Sequence, residues 1–166
     1  TTNCVAPVTK VMMENFGVQK ALLSTIHAYT ADQELVDGSH KDLRRARSAA
    51  VNIIPTSTGA DETTVEVIPA LKGLFDGLAY RVPVACGSVV DFCFVTSKRT
   101  TVAELNKAFM KAAKEKYKGI VEVSDQPLVS TDIIGNSASA IVDLSLTQVI
   151  DGDLVKVVAW YDNEWG

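Results

Sequence analysis

Apolar side chains recur at the spacing of one helical face through the first sixteen residues. These residues are Val5, Val8, Met12 and Phe16. The Thr-Thr-Asn of residues 1–3 can cap a helix, and Gly17 favours its end. Pro7 is tolerated because it falls near the first turn. The pattern predicts an α-helix that ends before Gly17.

Two further segments have helical features. One helix is expected to begin after residues 58–59 and to end near 72–73. Another begins at Thr101, which forms a capping-box sequence with Glu104. The apolar face of that last helix consists of Val102, Leu105, Phe109 and Ala112.

Apolar and β-branched runs predict strands through the rest of the chain. The runs lie at 20–30, 51–55, 77–83, 88–98, 141–149 and 154–161. Asp151-Gly152 is a turn sequence, so the last two strands are expected to form a hairpin. Strands and helices do not alternate regularly, which favours an α+β domain. We expect a mixed, largely antiparallel sheet with about three helices packed on one face.

Composition excludes several functional classes. The net charge is −4, which disfavours a nucleic-acid-binding protein with a concentrated basic face. The three cysteines lack C-x-x-C spacing and there are two histidines, so we expect no metal site, no disulfide framework and a reducing, cytoplasmic compartment. No uninterrupted apolar run reaches the roughly 18 residues of a membrane span.

Five ordered segments resemble a single family. They are Thr1-Thr2-Asn3-Cys4, Ile26-His27-Ala28-Tyr29-Thr30, the run from Asn52 to Ala60, Tyr80-Arg81-Val82-Pro83, and Trp160-Tyr161-Asp162-Asn163-Glu164. In this order they resemble the C-terminal, catalytic domain of glyceraldehyde-3-phosphate dehydrogenase across essentially all 166 residues. The resemblance implies an NAD-dependent, phosphorylating oxidation of an aldehyde in glycolysis, with NADP also possible, by a cytoplasmic homotetramer. Glyceraldehyde 3-phosphate is the expected substrate, and erythrose 4-phosphate, oxidised by a sister enzyme, is the alternative.

The resemblance also predicts how the domain is divided. The chain has no initiating Met and no G-x-G-x-x-G fingerprint, so residues 1–166 are expected to be a single catalytic domain without the NAD-binding domain. In the family the first segment reads S-C-T-T-N-C, and its first cysteine is the nucleophile. That cysteine would stand immediately before Thr1, so Cys4 is expected to be a buried apolar residue. The isolated chain is therefore predicted to be inactive, and a non-catalytic binding or assembly module is the alternative reading.

His27 is the catalytic base that the resemblance implies, because a neighbouring imidazole can stabilise a thiolate and carry its proton. Two anion pockets follow from the family. Thr30 and Arg81 are expected to bind the substrate phosphate. The attacking inorganic phosphate is expected to contact Thr1 and the pair at 58–59, Thr58 and Gly59, where a hydroxyl and a backbone N–H meet a helix start.

The cofactor contact implied by the family is Asn163, which is expected to hold the nicotinamide carboxamide. Trp160 and Tyr161 are expected to be core or interface aromatics. Asp61 and Glu62 stand where the family usually has a basic residue, and they either weaken phosphate binding or complement the helix dipole.

The polar segment 31–52 is expected to be a long folded loop with a basic cluster. The cluster consists of Lys41, Arg44, Arg45 and Arg47. The family places a subunit-contacting loop here, so contact with a subunit, cofactor or phosphate is favoured over a solvated surface. Nucleic acid is disfavoured because Asp42 interrupts the cluster and no aromatic residues are interleaved. Arg45 is the candidate phosphate contact.

Overall fold

A computed structural model describes the backbone of residues 1–166 and the side chains of residues 1–59 and 63–166. The helices are α1 (Thr2–Phe16), α2 (Ala60–Val67) and α3 (Val102–Lys114), with 3-10 turns at Pro69–Leu71 and Ser130–Ile133. The strands are β1 (Val18–Ala28), β2 (Ile54–Thr56), β3 (Phe75–Val82), β4 (Ser88–Thr96), β5 (Val121–Ser124), β6 (Ala140–Asp143), β7 (Gln148–Ile150) and β8 (Leu154–Tyr161).

All eight strands form one sheet. Its order is β2-β3-β1-β4-β8-β6-β5, and β7 pairs with β8 outside that path. β1 runs parallel to β3, and β5 runs parallel to β6, whereas the other pairs are antiparallel. This arrangement confirms the α+β class with a mixed, largely antiparallel sheet.

The core lies between one face of the sheet and the helices. Val8 and Met12 of α1 and Phe109 of α3 are fully buried, and they belong to one cluster with Phe92 and Phe94 of β4. The other sheet face is covered only in part: Ile141 of β6 and Trp160 of β8 pack in a second, smaller cluster with Ile133 and Ala138, and other side chains on this face are exposed. Leu22 of β1, for example, is 63% exposed.

Helix α1 has the buried face that its apolar spacing predicts. Gly17 ends the helix with a φ of 67°, a left-handed conformation that glycine adopts without a steric penalty. Thr1 occupies the N-cap position, but its side chain makes no capping hydrogen bond. The Thr1 hydroxyl instead lies 2.8 Å from the Tyr161 hydroxyl, so the start of α1 is tied to the end of β8.

The capping box of α3 is confirmed. The Thr101 Oγ1 accepts a hydrogen bond from the Glu104 N–H, and the Glu104 carboxylate accepts one from the Thr101 N–H at 2.9 Å. Leu105 and Phe109 are fully buried. Val102, the first residue of α3, is 38% exposed.

Two predicted boundaries are wrong. Helix α2 ends at Val67 instead of near 72–73, because a proline at position 69 cannot continue the hydrogen-bond ladder and restricts the residue before it. The predicted strand 141–149 is two strands, β6 and β7. Between them, Asp143 accepts hydrogen bonds from the Ser145 N–H and hydroxyl, which closes a local turn.

The hairpin between β7 and β8 is confirmed at Asp151-Gly152, where both residues have positive φ values of 46° and 75°. The side chains of Asp61 and Glu62 lie outside the described residues. Within the part of the chain that the structure describes, no helix is long and apolar enough to cross a membrane. The described side chains also include no group of three or more His, Cys, Asp or Glu residues suited to a metal ion.

Candidate active site

His27 lies near the end of β1, next to Arg81 on the parallel strand β3. The imidazole is 7% exposed. Its Nδ1 is 2.7 Å from the Ala28 carbonyl oxygen and 3.0 Å from the Arg81 Nη1. A carbonyl only accepts and a guanidinium only donates, so Nδ1 cannot bond both at once. The shorter contact assigns the proton to Nδ1, and the lone pair of the neutral ring therefore resides on Nε2.

The surroundings of His27 keep its ring neutral. Burial lowers its pKa to about 4, the hydrogen bond to Ala28 opposes that shift, and the positive charge of Arg81 adds to it. At neutral pH the ring is thus a proton acceptor at Nε2.

Tyr161 connects the helix start to the histidine. Its hydroxyl is 2.8 Å from the Thr1 Oγ1 and 3.1 Å from the Thr25 Oγ1. Its ring meets the His27 imidazole edge-on, with centroids 6.0 Å apart. Tyr161 is 2% exposed, which agrees with the expectation of a core aromatic. Sequence reasoning did not find its role at the site, and its only sequence signal is its position two residues before Asn163.

A cleft of about 310 Å³ opens beside this group. The residues that line it are Thr1, Thr2, Arg45, Ser57, Thr58, Gly59, Thr63 and Arg81. Five predicted phosphate contacts, drawn from four separate stretches of sequence, therefore meet in one cleft. Thr30 does not line it, but the Thr30 Oγ1 accepts a hydrogen bond from the Arg81 Nη1 at 3.2 Å. Thr2, Ser57 and Thr63 were not predicted; they are hydroxyl residues adjacent to the predicted ones or one helical turn away.

Arg81 supplies the least compensated positive charge in the cleft. Within the described residues it donates hydrogen bonds to two uncharged groups, the Ala28 carbonyl and the Thr30 hydroxyl, and it lies beside the neutral His27 ring. Burial, and after it the positive charge of Arg45, lower the pKa of Arg81, so the two guanidinium groups lie close together. Arg81 remains cationic at neutral pH because an arginine pKa starts far above 7.

Arg45 is already engaged by carboxylates. Its Nη1 donates to Asp32, and its Nε lies 3.4 Å from the Asp42 carboxylate. These two ion pairs offset its charge while fixing the guanidinium at the rim of the cleft. Arg45 therefore contributes hydrogen-bond donors to the wall of the cleft. It contributes less net positive charge than Arg81 does.

Two helices begin at the same cleft. In the first turn of α1 the Thr1 carbonyl accepts its first bonds from the Cys4 and Val5 N–H groups, so those of Thr2 and Asn3 have no acceptor within the helix. Gly59 stands at the N-cap position of α2, next to Thr58. The positive ends of both helix dipoles thus add to the potential that favours an anion.

Asn163 lies outside the cleft, just past the end of β8. Its Oδ1 accepts hydrogen bonds from the Gly87 N–H at 3.0 Å and the Ser88 hydroxyl at 3.2 Å. Its Nδ2 donates to the Glu164 carboxylate at 3.1 Å. Asn163 is thereby held near the end of β1 that carries His27.

Cys4 belongs to the core, as expected. It is fully buried, and burial raises the pKa of its thiol to about 12. A thiol in that environment remains protonated and does not act as a nucleophile.

Comparisons with known proteins agree with the geometry. The sequence profile of the glyceraldehyde 3-phosphate dehydrogenase C-terminal domain matches residues 1–163. All 166 residues align at 56% identity with a glyceraldehyde-3-phosphate dehydrogenase of Mycobacterium tuberculosis, covering 49% of that protein. Identity is 52% with glyceraldehyde-3-phosphate dehydrogenase 2 of Streptomyces avermitilis, covering 50% of it, and 52% with a chloroplastic glyceraldehyde-3-phosphate dehydrogenase of Arabidopsis thaliana, covering 42%.

The chain spans about half the length of these curated relatives. Its sequence matches the family profile almost from end to end, and five of the residues expected from the family line one cleft. This chain belongs to the family of glyceraldehyde-3-phosphate dehydrogenase C-terminal domains.

Proposed function

We propose that this chain is the catalytic half of an NAD-dependent, phosphorylating glyceraldehyde-3-phosphate dehydrogenase. Residues 1–166 form its single catalytic domain, and the dinucleotide-binding domain belongs to the rest of the protein. The observation that carries the proposal is the cleft that Thr1, Thr58, Gly59, Arg45 and Arg81 line beside a buried, neutral His27.

The nucleophile in this proposal is a cysteine directly before Thr1, at the amino end of α1. The unused first-turn N–H groups and the helix dipole favour a thiolate there. His27 accepts the thiol proton at Nε2, and its Nδ1–H···O=C bond to Ala28 holds the ring in the required tautomer. The resulting thiolate raises the pKa of His27, because an opposite charge nearby stabilises imidazolium.

The cleft binds the phosphate groups of the reaction. Arg81 and Thr30, joined by their hydrogen bond, contact the phosphate of the aldehyde substrate. Thr1, Thr58 and Gly59 contact the inorganic phosphate that accepts the acyl group, and Arg45 orients it with donors held in place by Asp32 and Asp42. Both anions then lie beside the start of α1, where the acyl group is formed.

Asn163 fits a nicotinamide carboxamide. Its Oδ1 is held by two protein donors, so the second N–H of Nδ2 is the group left to a ligand. NAD, when bound, supplies the acceptor for the hydride that leaves the substrate carbon. Asn163 orients the ring that receives it, and His27 carries the accompanying proton.

The proposal extends to partners and location. Leu22, Leu78 and Leu154 leave an apolar sheet face exposed, which supports self-association of the full-length protein, with a homotetramer as the family precedent. Cys4, Cys86 and Cys93 are all free thiols, which supports a reducing compartment such as the cytoplasm. Inorganic phosphate and a phosphorylated aldehyde are the proposed small-molecule partners.

The test uses the full-length protein and follows NAD reduction with glyceraldehyde 3-phosphate and inorganic phosphate. Arg81→Gln should raise KM for the aldehyde on the order of 10- to 100-fold, since charged hydrogen bonds are lost. Arg99→Gln is the matched control, because Arg99 forms an exposed pair with Asp151 at the other end of the sheet. His27→Asn should lower kcat on the order of 100- to 10,000-fold.

Three results separate the alternatives. If erythrose 4-phosphate is turned over faster than glyceraldehyde 3-phosphate in a side-by-side assay, erythrose 4-phosphate is the substrate and the proposed one is wrong. Equal effects of Arg81→Gln and Arg99→Gln overturn the proposed phosphate site. The isolated 166-residue chain is expected to show no NAD-dependent aldehyde oxidation, and turnover that His27→Asn abolishes contradicts that expectation.

A further inference from the structure

We infer that Ser88 is a positioning residue, whose hydroxyl fixes the Asn163 amide and joins it to the strand that carries His27. The inference rests on the proposed function, because it assigns the hydroxyl a role in nicotinamide binding. Ser88 is the first residue of β4 and is 1% exposed. No motif of the sequence analysis includes it.

The hydroxyl of Ser88 bridges two elements. Its Oγ accepts a hydrogen bond from the Ala28 N–H at 3.2 Å. Its own proton can be donated to the Asn163 Oδ1, 3.2 Å away, and the Tyr161 hydroxyl is a second hydrogen-bond partner of Ser88. One buried hydroxyl therefore links the residue after His27 to the residue proposed to hold the carboxamide.

The direction of the Asn163 amide follows from its donors. The Gly87 N–H can only donate, and it lies 3.0 Å from the same amide atom as the Ser88 hydroxyl. That atom must be an acceptor, so it is the amide oxygen and not the nitrogen. Ser88 and Gly87 together prevent a flip that would turn the oxygen toward the ligand.

The backbone at Gly87 is restricted as well. Its φ is +91°, and a Cβ built there would stand 2.4 Å from the Ser130 carbonyl oxygen. Only glycine fits, and the backbone in this conformation places the Gly87 N–H 3.0 Å from the Asn163 Oδ1. The pair 87–88 thus forms a fixed acceptor site for one amide oxygen.

The role of Ser88 differs from simple support of the fold. Removal of a purely structural hydroxyl changes only the stability of the fold. The Ser88 hydroxyl also helps to set which end of the Asn163 amide, the nitrogen or the oxygen, points toward the dinucleotide. Loss of the hydroxyl leaves the Gly87 N–H as the single described donor to Oδ1, so the amide gains rotational freedom. We expect weaker dinucleotide binding with little change in binding of the aldehyde or phosphate.

The first test needs no cofactor or turnover. In proton–nitrogen NMR spectra of the 166-residue chain, the Asn163 side-chain signals should shift toward those of a solvated asparagine in Ser88→Ala. Ser88→Cys, a near-isosteric change to a weak donor, should have the same effect and serves if the alanine variant does not fold. Unchanged Asn163 signals in a folded variant overturn the inference.

The second test measures NAD binding to the full-length protein by calorimetry. Ser88→Ala should raise the Kd for NAD on the order of five-fold, the effect of one ordinary hydrogen bond, while KM for the aldehyde stays within two-fold. Ser88→Thr retains the hydroxyl and should restore affinity. Thr147→Val is the matched control, because Thr147 is also buried and its hydroxyl also donates a hydrogen bond, to the Asn106 Oδ1 at 2.8 Å.

The outcomes separate the inference from the proposed function. Without NAD-dependent oxidation in the wild type, both are overturned. If the wild type is active and Asn163→Ala loses NAD affinity but Ser88→Ala does not, the inference is overturned and the function stands. An equal loss of NAD affinity in Ser88→Ala and Thr147→Val also overturns it, since both changes then act through stability alone.

Discussion

The buried imidazole of His27 makes a specific prediction about acid stability. Its pKa lies near 4 in the folded chain, against an ordinary value of 6.5, mainly because burial disfavours the charged form. Below pH 6.5 the unfolded chain takes up a proton at His27 that the folded chain does not. Stability therefore falls as pH decreases from about 6.5 to about 4, and the loss is complete below the folded-state pKa.

The magnitude follows from the two pKa values. Each unit of difference corresponds to about 1.4 kcal/mol, so the whole window accounts for at most about 3 kcal/mol. Integration from pH 7 to pH 5 gives a loss of at most about 2 kcal/mol from His27. That is a large share of the roughly 5–15 kcal/mol that stabilises a typical domain.

Urea unfolding of the 166-residue chain at pH 7 and pH 5 measures the effect. The wild type should lose about 2 kcal/mol more between these pH values than His27→Gln, which carries no titrating ring. Comparison of pH dependences cancels the cost of the substitution itself. Proton NMR titration gives an independent value, with His40→Gln used to assign the second imidazole. Equal pH dependence of wild type and variant, or a His27 pKa at or above 6.5, refutes the reasoning.

Three further stability predictions follow from the fold, each measured by urea unfolding. Thr101→Ala removes the N-cap acceptor of α3 and should cost about 1 kcal/mol, and no loss would contradict the capping box. Phe109→Ala empties a fully buried site and should cost about 3–5 kcal/mol; a loss below 1 kcal/mol would show a core that collapses around the gap. Gly87→Ala should lower the free energy of unfolding more than Gly119→Ala does. Both glycines have a positive φ, but only at Gly87 would the new Cβ collide with the Ser130 carbonyl, so equal losses would refute this clash.

Local patterns predicted most elements because each depends on short-range chemistry. The apolar spacing of α1 and the Thr101–Glu104 pair needed no knowledge of the fold. The predicted helix at α2 was too long, although Pro69 marks its end. A 3-10 turn follows the helix at Pro69–Leu71, and the sequence prediction included this turn in the helix. The split of 141–149 into β6 and β7 was missed because both strands pair with the same partner, β8.

The resemblance named the candidate site residues, and tertiary structure decided how they meet. Arg81 reaches His27 only because β3 pairs parallel to β1 in the register that places them side by side. Their roles in catalysis remain a proposal. Tyr161 and Ser88 were not found as site residues, since a buried tyrosine or a strand serine carries no sequence signal of its hydrogen-bond partners.

The sequence by itself determined most of the local elements, the α+β class and the family, because periodicity, capping residues and motifs can be read from short stretches of sequence. Only the tertiary structure decided the neutral state of His27, the pairing of Arg45 with Asp32 and the direction of the Asn163 amide. Each of these depends on burial or on contacts between residues far apart in the chain. Such contacts arise when the sheet assembles, and no short segment encodes them alone.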